Sequence, residues 1–281
     1  MAAARLRVVG AAVLFSTGGA AIKACGLTGW QVASFRSGIA AAALAAFFPG
    51  CWRLGDRRPL LAAVPYAATL LLFVLANKLT TAANVIFLQY AAPLYLAALE
   101  PLTLRERPSG RDLALMAPLG AGMLLCFLGA GGSAGGSAPA LGNALAAVAG
   151  LTWAATLLGM RWMGRQEGER NLAVGAAFWG NVGACAAALP FAVPAAFRAA
   201  DLASLLYLGV VQIGVSYALL TEAARRLSAL EVSLLLLIEP VLNPIWAWAL
   251  QGESPSGLSM AGGALILAAT AARSLRDRAR R

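Results

Sequence analysis

The chain contains no histidine, and its four cysteines form no Cys-x-x-Cys pair. The commonest general base and metal ligand is therefore missing, and neither a zinc site nor a disulfide framework is indicated. The two lysines, Lys23 and Lys78, lie outside any Gly-x4-Gly-Lys-Ser/Thr pattern, so no ATP-hydrolysing P-loop is predicted. We expect no metal, no cofactor and no enzymatic activity.

Charged side chains are also scarce, at 12% of the 281 residues, whereas a soluble domain has about 25%. Hydrophobic residues make up 60%, and the mean hydropathy is +0.74. Because a helix needs about 20 mostly apolar residues to cross a bilayer, the pattern predicts an all-α integral membrane protein with ten transmembrane helices. The predicted spans are 8–26, 30–49, 60–77, 82–99, 112–129, 141–160, 172–194, 202–221, 229–250 and 256–272.

The net charge of +10 comes from arginine clusters between the apolar runs. Most clusters fall on one side of the predicted membrane, whereas the other side has only Lys23, Arg36, Lys78 and Arg198. The positive-inside rule therefore places both termini in the cytoplasm, and we expect a bacterial inner-membrane protein. The basic charge sets membrane orientation in this interpretation, so nucleic acid is not an expected partner.

A small-residue segment, GAGGSAGGSAP, divides the ten spans into two sets of five. Near their ends the two halves match at a constant shift, which pairs Pro93 with Pro240, Glu106 with Glu253, and 108–110 with 255–257. Because five is odd, the second copy must enter the membrane inverted, as in many secondary transporters. The predicted units are a first repeat, a linker, a second repeat and a basic tail, at 1–130, 131–140, 141–272 and 273–281.

The ninth span places Glu239 and Pro240 inside an apolar run. A charged side chain at the centre of a bilayer helix costs about 2.5–3.5 kcal/mol, so it usually faces a cavity or a partner. Pro240 should kink the helix and free the Leu236 carbonyl. Glu239 is either a structural carboxylate or a proton or amine site, and its counterpart Ala92 shows that the kink itself needs no carboxylate.

The segments TAANVIFLQYAAPLYLAALEPLTLRERPSG and ALEVSLLLLIEPVLNPIWAWALQGESPSG, taken together, resemble the drug/metabolite transporter superfamily, specifically its EamA-type members. The resemblance covers nearly the whole chain. It implies ten helices in two inverted five-helix repeats, with a central cavity lined by helices one, three, four, six, eight and nine. Within the family the chain is most similar to YddG-like exporters, which handle aromatic and bulky apolar amino acids.

On those cavity helices, polar and aromatic side chains lie deeper than an interfacial aromatic belt. Pro93 and Pro240 are interpreted as kinks that contribute to gating, with fixed bends as the alternative. Arg36 is expected to snorkel outward, and Trp179 and Asn181 to be peripheral. The predicted substrate-binding residues are Phe15, Ser16, Gln89, Tyr90, Trp153, Thr156, Tyr217, Glu239 and Asn243.

These observations favour a secondary carrier that exports amino acids by alternating access. An exporter of drugs, cations or sugars is the first alternative, although the first span lacks the carboxylate on which short cation exporters depend. A membrane-embedded enzyme or a channel fits less well. The expected partners are a small-molecule substrate and the lipid bilayer, and stripes of small residues such as Ala176 and Gly180 leave a homo-oligomer open.

Overall fold

The computed structural model describes residues 2–53, 57–103, 110–132, 136–164, 172–224, 226–227 and 229–279. Glu106, Pro108 and Ser109 of the predicted repeat match lie outside these residues. A 3₁₀ turn at Ala130–Gly132 and a π-helix at Tyr207–Val215 accompany the α-helices. The α-helices are α1 (Ala2–Ser16), α2 (Gly18–Ala24), α3 (Gly29–Phe47), α4 (Arg58–Leu79), α5 (Ala82–Tyr90), α6 (Ala92–Thr103), α7 (Gly110–Leu128), α8 (Pro139–Gly164), α9 (Leu172–Ala192), α10 (Ala199–Leu206), α11 (Ser216–Ala224), α12 (Ala229–Leu236), α13 (Ile238–Gln251) and α14 (Gly257–Ala279).

The helices account for all ten predicted spans. In the described part of the chain, seven segments are long and apolar enough to cross a membrane, and four of them combine more than one helix: α1–α2, α5–α6, α10 with the π-helix and α11, and the end of α12 with α13. Met116–Leu128 and Gly257–Ala272 are shorter apolar helices, and the 19-residue α3 supplies the remaining span. The prediction of an all-α membrane protein is therefore confirmed.

The packing of the helices has the symmetry of an inverted repeat. Helix α3 packs against its counterpart α9, α7 packs against α14, and α5 packs against α13. Helix α4 of the first half lies on α8 of the second, just as α1 lies on α11. Exchanging the two halves maps α3–α9 and α7–α14 onto themselves and α4–α8 onto α1–α11, so the two predicted five-helix repeats pack as one bundle.

Small residues let α9 approach α3 and α4 closely. A Cβ atom at Gly180 would lie 2.5 Å from Cδ1 of Tyr66 and 3.2 Å from the carbonyl oxygen of Ala63. On the α3 side, the Ser34 hydroxyl donates a 3.0 Å hydrogen bond to the Cys185 carbonyl. Lipid is as apolar as the helix surface, so this close packing, and not hydrophobic burial, holds such helices together.

We expect Gly180→Ala to destabilise the protein by about 1–3 kcal/mol, because the added methyl must displace the Tyr66 ring or the backbone of α4. Gly120→Ala is the matched control, since a Cβ there meets nothing within 4 Å. Alanine in an open helical site is neutral or stabilising by up to about 1 kcal/mol. Thermal unfolding of the purified proteins in detergent measures both effects. Equal melting temperatures for the two variants would contradict the close approach.

Candidate functional site

Two spans are interrupted just before a proline. Helix α5 ends at Tyr90 and α6 begins at Ala92, before Pro93, and α12 ends at Leu236 before Pro240. A proline removes a backbone donor and clashes with the carbonyl four residues back, so that carbonyl needs another partner. At the second break, the hydroxyl of Tyr90 donates a 3.2 Å hydrogen bond to the Leu236 carbonyl. The two breaks are thus joined to each other.

A third break, which we did not predict, divides the first span at Thr17. The Thr17 hydroxyl donates to the Leu14 carbonyl at 2.7 Å and lies 2.8 Å from the hydroxyl of Tyr207. The sequence Ser-Thr-Gly-Gly at 16–19 is a usable signal, because serine, threonine and glycine are weak helix formers. This break brings Phe15 and Ser16 to the centre of the bundle.

A cavity of about 340 Å³ lies between the two repeats, beside the three breaks. Its wall is mostly apolar and aromatic, with a few polar groups, which is typical of a small-molecule site. The six spans that the family resemblance implies, the first, third, fourth, sixth, eighth and ninth, all contribute to the wall. The second span (α3) and the tenth span (α14) add one residue each. The lining residues are Phe15, Arg36, Tyr66, Thr69, Leu70, Phe73, Gln89, Tyr90, Ala92, Pro93, Leu96, Trp153, Leu157, Gln212, Ile213, Tyr217, Leu220, Leu236, Leu237, Glu239 and Thr270.

Most of the predicted site residues lie in this wall. The structure brings together six of the predicted substrate-binding residues and one of the predicted kink residues. They are Phe15, Gln89, Tyr90, Trp153, Tyr217, Glu239 and Pro93. Among the described lining residues, Ser16, Thr156, Asn243 and Pro240 are absent, so the structure does not place these four at the cavity surface.

The polar side chains that miss the cavity are engaged within or between helices. Thr156 donates to the carbonyl of Thr152 in its own helix. Asn243 donates to the Ser16 carbonyl at 3.1 Å, and the indole of Trp246 donates to the Ser16 hydroxyl at 2.9 Å. These bonds form a buried layer that ties the break in the first span to α13.

Glu239 lines the cavity and is hydrogen-bonded to a tyrosine of the same wall. The Tyr90 hydroxyl donates to Oε2 of Glu239 at 2.9 Å and shares its proton with the Leu236 carbonyl. Nearby, the Tyr217 hydroxyl donates to the Tyr66 hydroxyl at 2.8 Å, and the Tyr66 ring packs against Trp153. The carboxylate therefore faces an aromatic chamber and remains partly exposed to it.

Arg36 is the main residue that sequence reasoning misplaced. We expected it to snorkel outward, but it is 3% exposed and lines the cavity. Tyr66 and Gln212 also lie in the wall without having been predicted as site residues. An arginine within an apolar run was an available signal, but its position along α3 does not reveal which way the side chain points.

A buried ion pair lies at the face where α2, α4 and α13 end. Lys23 forms a salt bridge with Glu253, whose side chain is 4% exposed. Oε2 of Glu253 accepts the backbone N–H of Ala82 at 2.9 Å, and Lys23 donates to the Thr80 carbonyl at 2.7 Å. The pair therefore links α2, the start of α5 and the segment after α13.

The opposite face has ion pairs of another kind. Arg5 pairs with Glu231 and Arg7 pairs with Glu222, joining α1 to α12 and α11. Their side chains are between 28% and 58% exposed, so water and salt screen them. Lys23–Glu253 is thus more deeply buried than the pairs Arg5–Glu231 and Arg7–Glu222 at the opposite face.

Ten apolar spans in two repeats around a central cavity define a multi-pass membrane protein with a candidate small-molecule site. Residues 4–128 and 140–274 each match the EamA-like transporter family, and the chain belongs to it. Family members are membrane transporters of small molecules within the drug/metabolite transporter superfamily, not enzymes. The resemblance stated from the sequence is thereby confirmed at the level of the family.

Solved structures match the fold. One, titled "Crystal structure of protein", aligns over 99% of this chain and 98% of its own, with a TM-score of 0.65 and 19% identity. At that identity the likeness supports the fold alone. A search of curated proteins finds no significant match.

We expect Glu253→Gln to loosen the packing around Lys23, at the face where α2, α4 and α13 end, because breaking a buried ion pair costs about 3–5 kcal/mol. Cys25 reports this loosening, since it is 1% exposed and lies two residues after Lys23. In a background with Cys51, Cys126 and Cys185 replaced by alanine, maleimide labelling of Cys25 in purified protein should accelerate roughly tenfold or more.

The control is Glu222→Gln, which breaks an exposed pair and should leave labelling unchanged. The double variant Lys23→Met/Glu253→Gln should label more slowly than Glu253→Gln, because it leaves no uncompensated buried charge. Identical labelling in all four proteins would show that the ion pair does not hold this face closed.

Proposed function

We propose that this transporter is a secondary carrier that exports aromatic or bulky apolar amino acids from the cytoplasm by alternating access. It would lie in the bacterial inner membrane with both termini in the cytoplasm, following the arginine distribution. The observation that supports the substrate class is the aromatic cavity containing the carboxylate of Glu239. Exporters of drugs, cations or sugars remain the rivals within the family.

The cavity suits one aromatic or branched side chain. Its volume of about 340 Å³ is at the small end of the range for ligand pockets, about 300–1,000 Å³. Phe15, Phe73 and Trp153 supply apolar surface, and Phe15 makes an edge contact with Tyr217 at a centroid distance of 5.9 Å.

Alternating access is supported by the breaks and by the unequal faces. The substrate would sit between inverted repeats, and each repeat has a proline break where its fourth helix meets the cavity. Among the described residues, one face has the buried pair Lys23–Glu253, whereas the pairs Arg5–Glu231 and Arg7–Glu222 at the other face are partly exposed. If the first face opens while the second closes, the substrate site becomes accessible from the other side of the membrane. The solute gradient would set the direction of net transport.

Glu239 is the proposed proton or amine site. Ala92 is its counterpart in the first repeat, where the helix breaks without any carboxylate. A structural account of the break therefore does not require the charge. The hydrogen bond from Tyr90 to Oε2 leaves acceptor positions on the carboxylate for a substrate ammonium or for a proton.

A competition assay in proteoliposomes tests the function. Purified protein should take up labelled phenylalanine, and unlabelled tryptophan, methionine and leucine should compete, whereas glucose and tetraphenylphosphonium should not. Lipid vesicles without protein give the background. If glucose or tetraphenylphosphonium competes and the amino acids do not, the substrate class is wrong, and the protein is an exporter of one of the rival classes.

Glu239→Gln should lower phenylalanine uptake at least tenfold, because a charged hydrogen-bond partner of the substrate is lost. It should also remove any change of rate between about pH 5.5 and 8, since glutamine cannot take up a proton. Glu222→Gln, which alters an exposed carboxylate, is the matched control and should behave like the wild type. Unaltered uptake and pH profile in Glu239→Gln would assign Glu239 to the structure of the break.

A further inference from the structure

Arg36 lines the cavity, and two of its three guanidinium nitrogens are buried without a hydrogen-bond partner. Its side chain lines the cavity and is 3% exposed, and neither Nε nor Nη1 has a hydrogen-bond partner. Buried charges are usually paired, because taking an ion out of water is costly. The Nε and Nη1 donors of Arg36 are therefore available to a ligand in the cavity.

The carboxylate in the same wall does not neutralise Arg36. Glu239 accepts its hydrogen bond from Tyr90, and no carboxylate of the described residues reaches Nε or Nη1 of Arg36. Tyr66 lies within electrostatic reach of both charges and is hydrogen-bonded to Tyr217. The cavity wall thus has one positive group, Arg36, and one negative group, Glu239, near the Tyr66–Tyr217 pair. The two charged groups do not form an ion pair with each other.

Two amide oxygens add hydrogen-bond acceptors to the cavity wall. Oε1 of Gln89 and Oε1 of Gln212 are buried without a hydrogen-bond partner, and both residues line the cavity. An ammonium group has three donors and no acceptor, so it matches a carboxylate with nearby carbonyl-type oxygens. A carboxylate has only acceptors and matches the planar donor fork of an arginine.

We propose that Arg36 binds the carboxylate of the transported solute while Glu239 receives its ammonium group. This inference rests on the proposed function and makes its substrate class specific: the cavity takes a zwitterion with both groups on a short backbone, an α-amino acid. Such a solute neutralises both ends of the cavity. An organic amine leaves Arg36 buried and unpaired, and an organic acid does the same to Glu239.

Three compounds that share one phenyl side chain separate the two charges. L-phenylalanine carries both groups, phenethylamine lacks the carboxylate and 3-phenylpropionate lacks the ammonium. We expect the wild-type protein to bind phenylalanine about 10- to 100-fold more tightly than either analogue, because each analogue loses one charge-assisted interaction. Binding is measured by calorimetry on purified protein, independently of transport.

Arg36→Gln should weaken phenylalanine binding about 10- to 100-fold while phenethylamine binds as in the wild type or more tightly. Arg36→Lys should bind phenylalanine with intermediate affinity, because it keeps the charge and loses the fork. Glu239→Gln should do the reverse, weakening phenylalanine while sparing 3-phenylpropionate. Equal weakening of phenylalanine and phenethylamine in Arg36→Gln would overturn the assignment.

Thermal unfolding without ligand separates binding from structure. Removing a buried unpaired charge should leave the melting temperature of Arg36→Gln unchanged or raise it, whereas loss of a structural ion pair would lower it. A marked fall would therefore overturn the proposal.

Failure of the amino-acid assignment gives a different result. If phenylalanine does not bind but 3-phenylpropionate does, and Arg36→Gln abolishes that binding, then Arg36 still binds the carboxylate and the amino-acid function is wrong. If none of the three compounds binds to the wild type, the role of Arg36 is wrong. Binding of phenethylamine alone would contradict both.

Discussion

The structure depends on one constraint: inside a bilayer, every backbone polar group needs a partner within the protein. A break in a spanning helix frees such groups, so breaks are tolerated only where other side chains reach them. The breaks at Thr17, Ala91 and Leu237 meet in the centre of the bundle, and the Tyr90 hydroxyl satisfies the Leu236 carbonyl there. Residues beside all three breaks line the cavity.

The two repeats share their architecture but not their chemistry. Both break before a proline, yet the second has Glu239 where the first has Ala92. The closing charges are also unequal, with Lys23–Glu253 buried at one face and exposed pairs at the other. Symmetric scaffolds allow the two open states to be similar in energy, whereas asymmetric charges let a solute or a proton favour one of them.

Much of the candidate site could be predicted, because the proline breaks and the cavity helices follow from local pattern and family resemblance. Phe15, Tyr90, Trp153 and Glu239 all reach the wall. The exceptions have a common cause: a sequence does not say which face of a helix a side chain occupies. Arg36 was assigned to the membrane surface, and Ser16, Thr156 and Asn243 were assigned to a cavity although other helices or their own backbone engage them.

The membrane class, the ten spans, the two repeats and the proline breaks can be read from the sequence, because hydropathy, length and the missing proline N–H act locally along the chain. The partners of the side chains follow from the tertiary structure alone. Tyr90 with Glu239 and Lys23 with Glu253 join residues far apart in sequence, and the orientation of Arg36 follows from the packing of α3 against α9 and the π-helix. Long-range contacts of this kind arise from how helix faces interlock, which no local pattern specifies.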